Sequence, residues 1–305
     1  MFRFKKLMVA LNLDDFDTLL IQYVGFVAKM SRASDIYFVH VSDSFDIPNE
    51  IKKIYPEILA PVDEAACDRM KEIVGQTLDD LPDIRFHFEA KEGPLIGSLV
   101  AFTRDLDIDL LIAGHSGGDS PIGRHYSEKI ARKAFCSVLI VPPDSRVQLK
   151  HILVASDFSG HSCDSIDVGC AFAKAAGLPS LDVLNGYRVP KGYYKTGKSL
   201  EEFTELMRKN AEEKSEQCLA RLDLQGVNAI PRFRVTENVI KGIQAYADET
   251  DASLIVIGAR GRSGDIAAIL LGSVTEGLIR RTTRPLLAVK KKGQGLNILE
   301  ALYPS

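Results

Sequence analysis

The stretch DASLIVIGARGRSG, Asp251 to Gly264, decides how the chain is read: an unbroken apolar run, Leu254 to Ile257, passes directly into Gly258, Gly261 and Gly264, with Arg260 and Arg262 between them. An apolar run without polar alternation is the pattern of a strand buried on both faces, as in a parallel sheet. In sheets of that kind, ligands bind beyond the carboxyl ends of the strands, where the strand order reverses. Lacking Cβ atoms, Gly258 and Gly261 let backbone N–H groups approach an anion closely and permit positive φ. Further on, Gly272-Ser273 stands immediately before the amphipathic segment VTEGLIRR. Ser273 is thereby expected at an N-cap or in a first helical turn, where free N–H groups and the helix dipole favour phosphate. A tight strand-to-loop turn alone would account for Gly258 and Gly261. Two glycine clusters flanking one helix start, with Arg260 and Arg262 as charge partners, point instead to a phosphate site.

Working outward, the same pattern occurs twice. DLDIDLLIAGHSGG (105–118) parallels DETDASLIVIGARGRSG (248–264), KKLMVALNLDD (5–15) parallels KHILVASDFSG (150–160), and FCSVLIVPP (135–143) parallels TRPLLAVKK (283–291). A repeat of this length is a duplicated domain. Boundaries are expected at residues 1–145 and 146–292, with a tail over 293–305. In the second half the periodicity predicts strands at 152–155, 181–184, 232–235, 253–257 and 286–289. Helices are predicted over 161–176, 200–222, 239–250 and about 273–281. Strands alternating with helices give an α/β class: two tandem Rossmann-like, doubly wound domains, each with a mostly parallel five-stranded sheet in order 3-2-1-4-5.

The 305 residues suit two domains with sizeable cores. A formal charge of −3 argues against a nucleic-acid partner held by bulk electrostatics. No apolar run approaches the ~18 residues of a membrane span and no leader is evident, so a cytoplasmic protein without a membrane contact is expected. Five cysteines without a CxxC pair disfavour a disulfide framework and a zinc knuckle, leaving buried reduced thiols as the expectation. Cys163 and Cys170, seven apart on one predicted helix, have ordinary core spacing. No metal site is expected: His115, His125 and Cys136 fit no zinc spacing, and solvated loop histidines are the simpler reading.

With these residues in view, the second half resembles a universal stress protein domain of the ATP-binding type. The family signature is GxxG, a spacer of nine, then Gly followed by Ser or Thr. Gly258-Ala259-Arg260-Gly261 and Gly272-Ser273 match it with a spacer of ten. The resemblance extends over residues 4–291, but its motif is specific only in the second half. It implies an adenine nucleotide, ATP or else ADP or AMP, with ribose and phosphates wrapped by Gly258, Ala259, Arg260, Gly261 and Arg262. Gly272, Ser273 and Val274 would take the phosphate tail, and Asp157 and Val183 the adenosine. Asp157 could also be a helix cap and Val183 plain core. Magnesium is expected with ATP, because one helix terminus offsets only part of a triphosphate's charge.

The first half has lost the signature. Gly114 and Gly117 keep GxxG, but only five residues separate Gly117 from Gly123, and Arg124 stands where Ser or Thr is wanted. Asn12 occupies the place of Asp157. The nearby SGGDS (116–120) is similar to an adenylating pyrophosphate loop, but follows the fourth strand rather than the first, so that reading is rejected. The segment YRVPKGYYKTGK (187–198) is either a lid or partner-docking loop or a plain exposed connection.

The function implied is a nucleotide-binding regulator of the stress response with no catalytic residues assigned and at most slow ATP hydrolysis. The alternative is a protein-interaction scaffold without nucleotide. The resemblance also implies pairing of the two last strands, Val138–Val141 and Leu286–Val289, as an internal pseudo-dimer, with a further homodimer and an unidentified protein partner left open.

Overall fold

The computed structural model describes residues 4–42, 62–78, 81–115, 121–259 and 271–290. The chain divides into two compact units, Met1–Pro143 and Asp144–Ser305. The segment 293–305 lies outside the described residues.

Unit 1 runs β1 (Lys6–Leu11), α1 (Asp17–Ser31), β2 (Asp35–Ser42), α2 (Val62–Thr77), β3 (Arg85–Glu92), α3 (Leu95–Asp105), β4 (Leu110–Gly114), α4 (Pro121–Lys133) and β5 (Ser137–Val141). Its strands lie in the order β3-β2-β1-β4-β5, and each neighbouring pair is parallel. Unit 2 repeats the plan with β6 (Ile152–Ala155), α5 (Gly160–Ala175), β7 (Ser180–Tyr187), a short 3-10 turn (Tyr193–Thr196), α6 (Leu200–Leu219), β8 (Asn228–Val235), α7 (Val239–Glu249), β9 (Leu254–Gly258), α8 (Ser273–Ile279) and β10 (Leu286–Val289). The order is β8-β7-β6-β9-β10, again parallel throughout.

Inside each unit's sheet the strands are apolar because helices cover both of their faces. Every residue of β5, β6, β9 and β10 is buried. Strands β3 (RFHFEAKE) and β8 (NAIPRFRV), each at one edge of its unit's sheet, carry the charge, and β8 tolerates Pro231 because an edge strand can spare an N–H. Each edge strand is held by a buried carboxylate on its neighbour. Asp35 on β2 accepts hydrogen bonds from Ser34 Oγ at 2.7 Å and Arg85 Nη2 at 3.0 Å, and His87 Nε2 lies 2.8 Å from it. Burial opposes ionisation of Asp35, but the hydrogen bonds from His87, Arg85 and Ser34 outweigh it and hold the carboxyl at about 2. In unit 2 Asp182 accepts from Arg232 Nε at 3.0 Å and from Tyr246 Oη at 2.9 Å.

Helix ends follow local chemistry. Ser199 and Glu202 form a reciprocal capping box at the start of α6, and Asn238 accepts from Lys241 N at the start of α7. Helix α5 presses so closely on β6 that a Cβ at Gly169 would stand 2.6 Å from Val154 Cγ2.

One expectation is overturned here. Cys163 and Cys218 are joined in a disulfide, their Cα atoms 6.2 Å apart, so the first turn of α5 is tied to the last turn of α6. The partners are 55 residues apart in the chain, and only the packing of two helices on one face of the sheet brings them together. Cys136 and Cys170 are buried thiols as expected, and burial pushes Cys170 up to about 11. Among the described residues no helix is long and apolar enough to cross a membrane.

Candidate functional site

A cavity of about 260 Å³ opens at the carboxyl ends of β6, β7 and β9 in unit 2. Strand order reverses beside β6, the first strand of the unit, which is where doubly wound sheets leave a crevice. Ala155, Leu184, Gly186 and Ile257 form an apolar floor, and Val239 and Ile243, one turn apart on α7, form an apolar wall. The opposite rim is polar: Ser156, Asp157 and Ser162 on one side, Gly258, Gly272, Ser273, Val274 and Thr275 on the other. Such a cavity suits a flat heteroaromatic group on its floor and a hydroxyl-rich or anionic group at its rim.

The loop after β6 is set by its own side chains. Phe158 adopts φ +53°, and its N–H donates to Ser156 Oγ at 3.0 Å. Ser162 Oγ lies 3.0 Å from Ser156 Oγ and donates to Ser159 O at 3.1 Å, so the first turn of α5 grips the loop. Asn185 Nδ2 donates to Ser156 O at 2.8 Å from the adjoining strand. Asp157 is half-buried, and its Oδ1 accepts from Ser159 N at 3.0 Å. It therefore both shapes the helix entry and lines the cavity.

On the other side, Gly272 N donates to Ala259 O at 2.8 Å and Ala259 N donates to Val289 O at 2.8 Å. Thr275 Oγ1, on the first turn of α8, donates to Gly258 O at 2.9 Å. The two ends of segment 260–270 are thus fastened to each other and to the sheet. Gly272 takes the N-cap position with φ −63° and ψ 142°, so Ser273 is the first residue of α8 and its hydroxyl does not cap. The N–H groups of that first turn have no carbonyl within the helix to bond.

Of the site residues predicted from sequence, the structure brings Asp157, Gly258, Gly272, Ser273 and Val274 to one cavity. Ala259 is buried and not among the cavity-lining residues, and its backbone N–H and C=O bond Val289 O and Gly272 N. Arg260, Gly261 and Arg262 lie outside the described residues. Val183 is not among the residues that line the cavity, whereas its neighbour Leu184, just as buried, and Gly186 are. Alternation along β7 is the reason, since neighbours on a strand face opposite sides. Sequence reasoning missed Ser156, Ser162, Leu184, Gly186, Val239 and Ile243. The i, i+4 pair at the start of α7 was the available signal for the last two.

In unit 1 two side chains, Phe16 and Asp17, stand at the corresponding place. Phe16 lies against Gly114, where a Cβ would stand 2.4 Å from the ring. Asp17, fully buried in the first turn of α1, accepts from Asn12 N at 3.0 Å and Leu13 N at 2.6 Å. Burial raises its carboxyl above the ordinary carboxylate range, the two N–H donors opposing that rise. Leu13 repeats the positive φ of Phe158, so the loop turns alike in both units. Ser127 Oγ donates to Gly114 O at 3.2 Å, in the role Thr275 plays in unit 2. Counting back two residues from each sets His125, rather than Arg124, opposite Ser273. His115 is corrected too: it is buried, with Nδ1 3.3 Å from Ser127 Oγ. Among the described residues no group of three or more His, Cys, Asp or Glu side chains could hold a metal.

Two doubly wound α/β units in one chain, the second with a polar-rimmed cavity at its switch point, define a tandem α/β protein with a candidate ligand site in its second unit. The family model for the universal stress protein family matches residues 3–142 and again 148–290, and the chain belongs to that family. It is 31% identical over 163 residues to universal stress protein MJ0577 of Methanocaldococcus jannaschii, covering 48% of this chain and 98% of that protein. Two solved Pseudomonas aeruginosa structures share the fold over 99% of this chain and 98% of theirs, each with TM-score 0.66. They are a protein of unknown function, PA1789, at 16% identity, and a putative universal stress protein at 17%.

Proposed function

We propose that unit 2 binds an adenine nucleotide, ATP foremost, and that the protein acts through its nucleotide-loaded state as a regulator in the stress response. The observation that carries this reading is the cavity itself: an apolar floor for a base, and a rim of Ser156, Asp157 and Ser162 facing the glycine-started helix α8. The base lies against Leu184, Gly186 and Val239, the ribose near Asp157, and the phosphates beside Gly258, Gly272, Ser273 and Val274. Arg260, Gly261 and Arg262 are assigned to the phosphates on their place in the sequence motif. Magnesium accompanies the triphosphate, whose charge exceeds what one helix terminus offsets. Unit 1, with Phe16 and Asp17 in the corresponding place, is assigned no nucleotide.

Binding rather than turnover is the role proposed. Hydrolysis would need a base aligned on water and a transition state held more tightly than the ground state. Asp157, the carboxylate among the described lining residues, is already engaged by Ser159 N. The test is mass spectrometry of the small molecule released on denaturing freshly purified protein, with uptake of Mg-ATP measured alongside. One nucleotide per chain, lost in Ser273→Arg and Val239→Trp variants that stay folded, supports the reading. None released and none taken up overturns it in favour of an interaction scaffold of the same fold.

A further inference from the structure

We propose that Cys163 and Cys218 are a reversible thiol–disulfide pair that sets the affinity of the unit 2 cavity for its ligand, a role that rests on the nucleotide reading above. Cys163 sits in the first turn of α5, directly after Ser162, which lines the cavity. Ser162 Oγ is also the group that binds Ser156 and Ser159 on either side of Asp157. The turn carrying one end of the disulfide is therefore the turn that shapes the polar rim. The other end, Cys218, lies in the last turn of α6, which is not among the cavity-lining elements. The covalent link thus fastens the rim to a second helix.

Access suits exchange at one end. Cys163 is half-buried while Cys218 is buried, so attack by a thiolate is assigned to Cys163. Cys170 lies on the same helix but is fully buried, with its thiol pushed up to about 11 by burial, so it does not compete as a partner. Reduction by a small dithiol passes through a mixed disulfide at Cys163, breaks the Sγ–Sγ bond and leaves two thiols, the dithiol closing to its own disulfide. Oxidation is the reverse: two electrons and two protons leave the pair for a low-molecular-weight disulfide, which becomes two thiols. With the bond closed, the first turn of α5 is held in place before ligand arrives, and less order is lost on binding. The oxidised form is the tighter binder.

The experiment compares full-length protein in both states. Unfolded without reductant, oxidised protein should show three free thiols, Cys67, Cys136 and Cys170, and reduced protein all five. Titration calorimetry with Mg-ATP should give about five-fold weaker binding after reduction, reversed on reoxidation. Cys218→Ser should stay at the weaker value in both conditions, and Cys170→Ser should keep the response. Five free thiols before reduction, equal affinities in the two states, or a response persisting in Cys218→Ser would each overturn the proposal. Absence of ATP binding in either state refutes the nucleotide reading, and hydrogen exchange of residues 156–163 then decides the switch. Faster exchange on reduction upholds control of the rim, and unchanged exchange ends it.

Discussion

Unit 1 and unit 2 share strand order, the positive-φ loop after the first strand and the hydroxyl that binds the last carbonyl of the fourth strand, yet the side chains at the end of the first strand differ. Two adjacent residues mark unit 1. Phe16 covers Gly114 with a ring, and Asp17 takes the loop N–H groups of Asn12 and Leu13. In unit 2 the loop is held by small hydroxyls, Ser156, Ser159 and Ser162, which occupy little volume and leave about 260 Å³ free. A fold can therefore keep its scaffold while gaining or losing a site through side chains that no strand pattern registers.

The comparison can be sharpened by breaking each unit at the feature the other lacks. The largest effect is expected from the disulfide: Cys163→Ser should destabilise unit 2 by about 2–4 kcal/mol, because the unfolded chain loses a cross-link closing a long loop. Denaturant unfolding followed by hydrogen exchange should show that loss in β6–β10 and none in β1–β5. Next, Asp17→Ala should destabilise unit 1 by about 1–3 kcal/mol, since two loop N–H groups are left without their acceptor. The same method should place this loss in unit 1 alone, and an effect below ~0.5 kcal/mol would show that water replaces the carboxylate.

Phe16→Ala probes whether the ring against Gly114 closes a site. The ring is half-buried, so a loss of about 1–2 kcal/mol is expected, less than for a fully buried Phe. Nucleotide stoichiometry should remain one per chain, because Asn12 still stands where unit 2 has Asp157. A second bound nucleotide would show that the ring alone had closed the site. The smallest effect concerns acid. The folded-state carboxyl of Asp35 is lowered to about 2, so its contribution is complete above the unfolded value near 4 and is lost as pH falls through about 2. Asp35→Asn should flatten the pH dependence of unit 1 stability between pH 4 and 2, by roughly 1 kcal/mol, read from denaturation midpoints.

Much of the fold was legible because buried parallel strands announce themselves. Ile152–Ala155 and Leu286–Val289 are continuous apolar runs, and their observed limits coincide with the predicted ones. The glycine-started helix at Ser273 was legible from local chemistry as well. What escaped depended on which way a side chain faces or on distant packing. Val183 and Leu184 are equally apolar and equally buried, and only the strand's parity turns Leu184 to the cavity. Phe16 is one residue in an ordinary loop, and its meaning comes from Gly114, ninety-eight positions later. The Cys163–Cys218 pairing joins two helices whose contact no periodicity encodes. His115 was misjudged for the same reason, since the strand end carrying it is covered by α4 and Ser127.

The hydrogen bond from Gly272 N to Ala259 O has a consequence for the family signature. Because it fastens the two ends of the intervening segment together, the length of that segment is uncoupled from the geometry of β9 and α8. Loop-closure entropy rises only about 0.6 kcal/mol for each doubling of length, so one residue more than the usual spacer is nearly free. Insertions between Arg260 and Leu270 are thus tolerated like beads added to a clasped necklace: they change what hangs from the clasp and leave the clasp where it was.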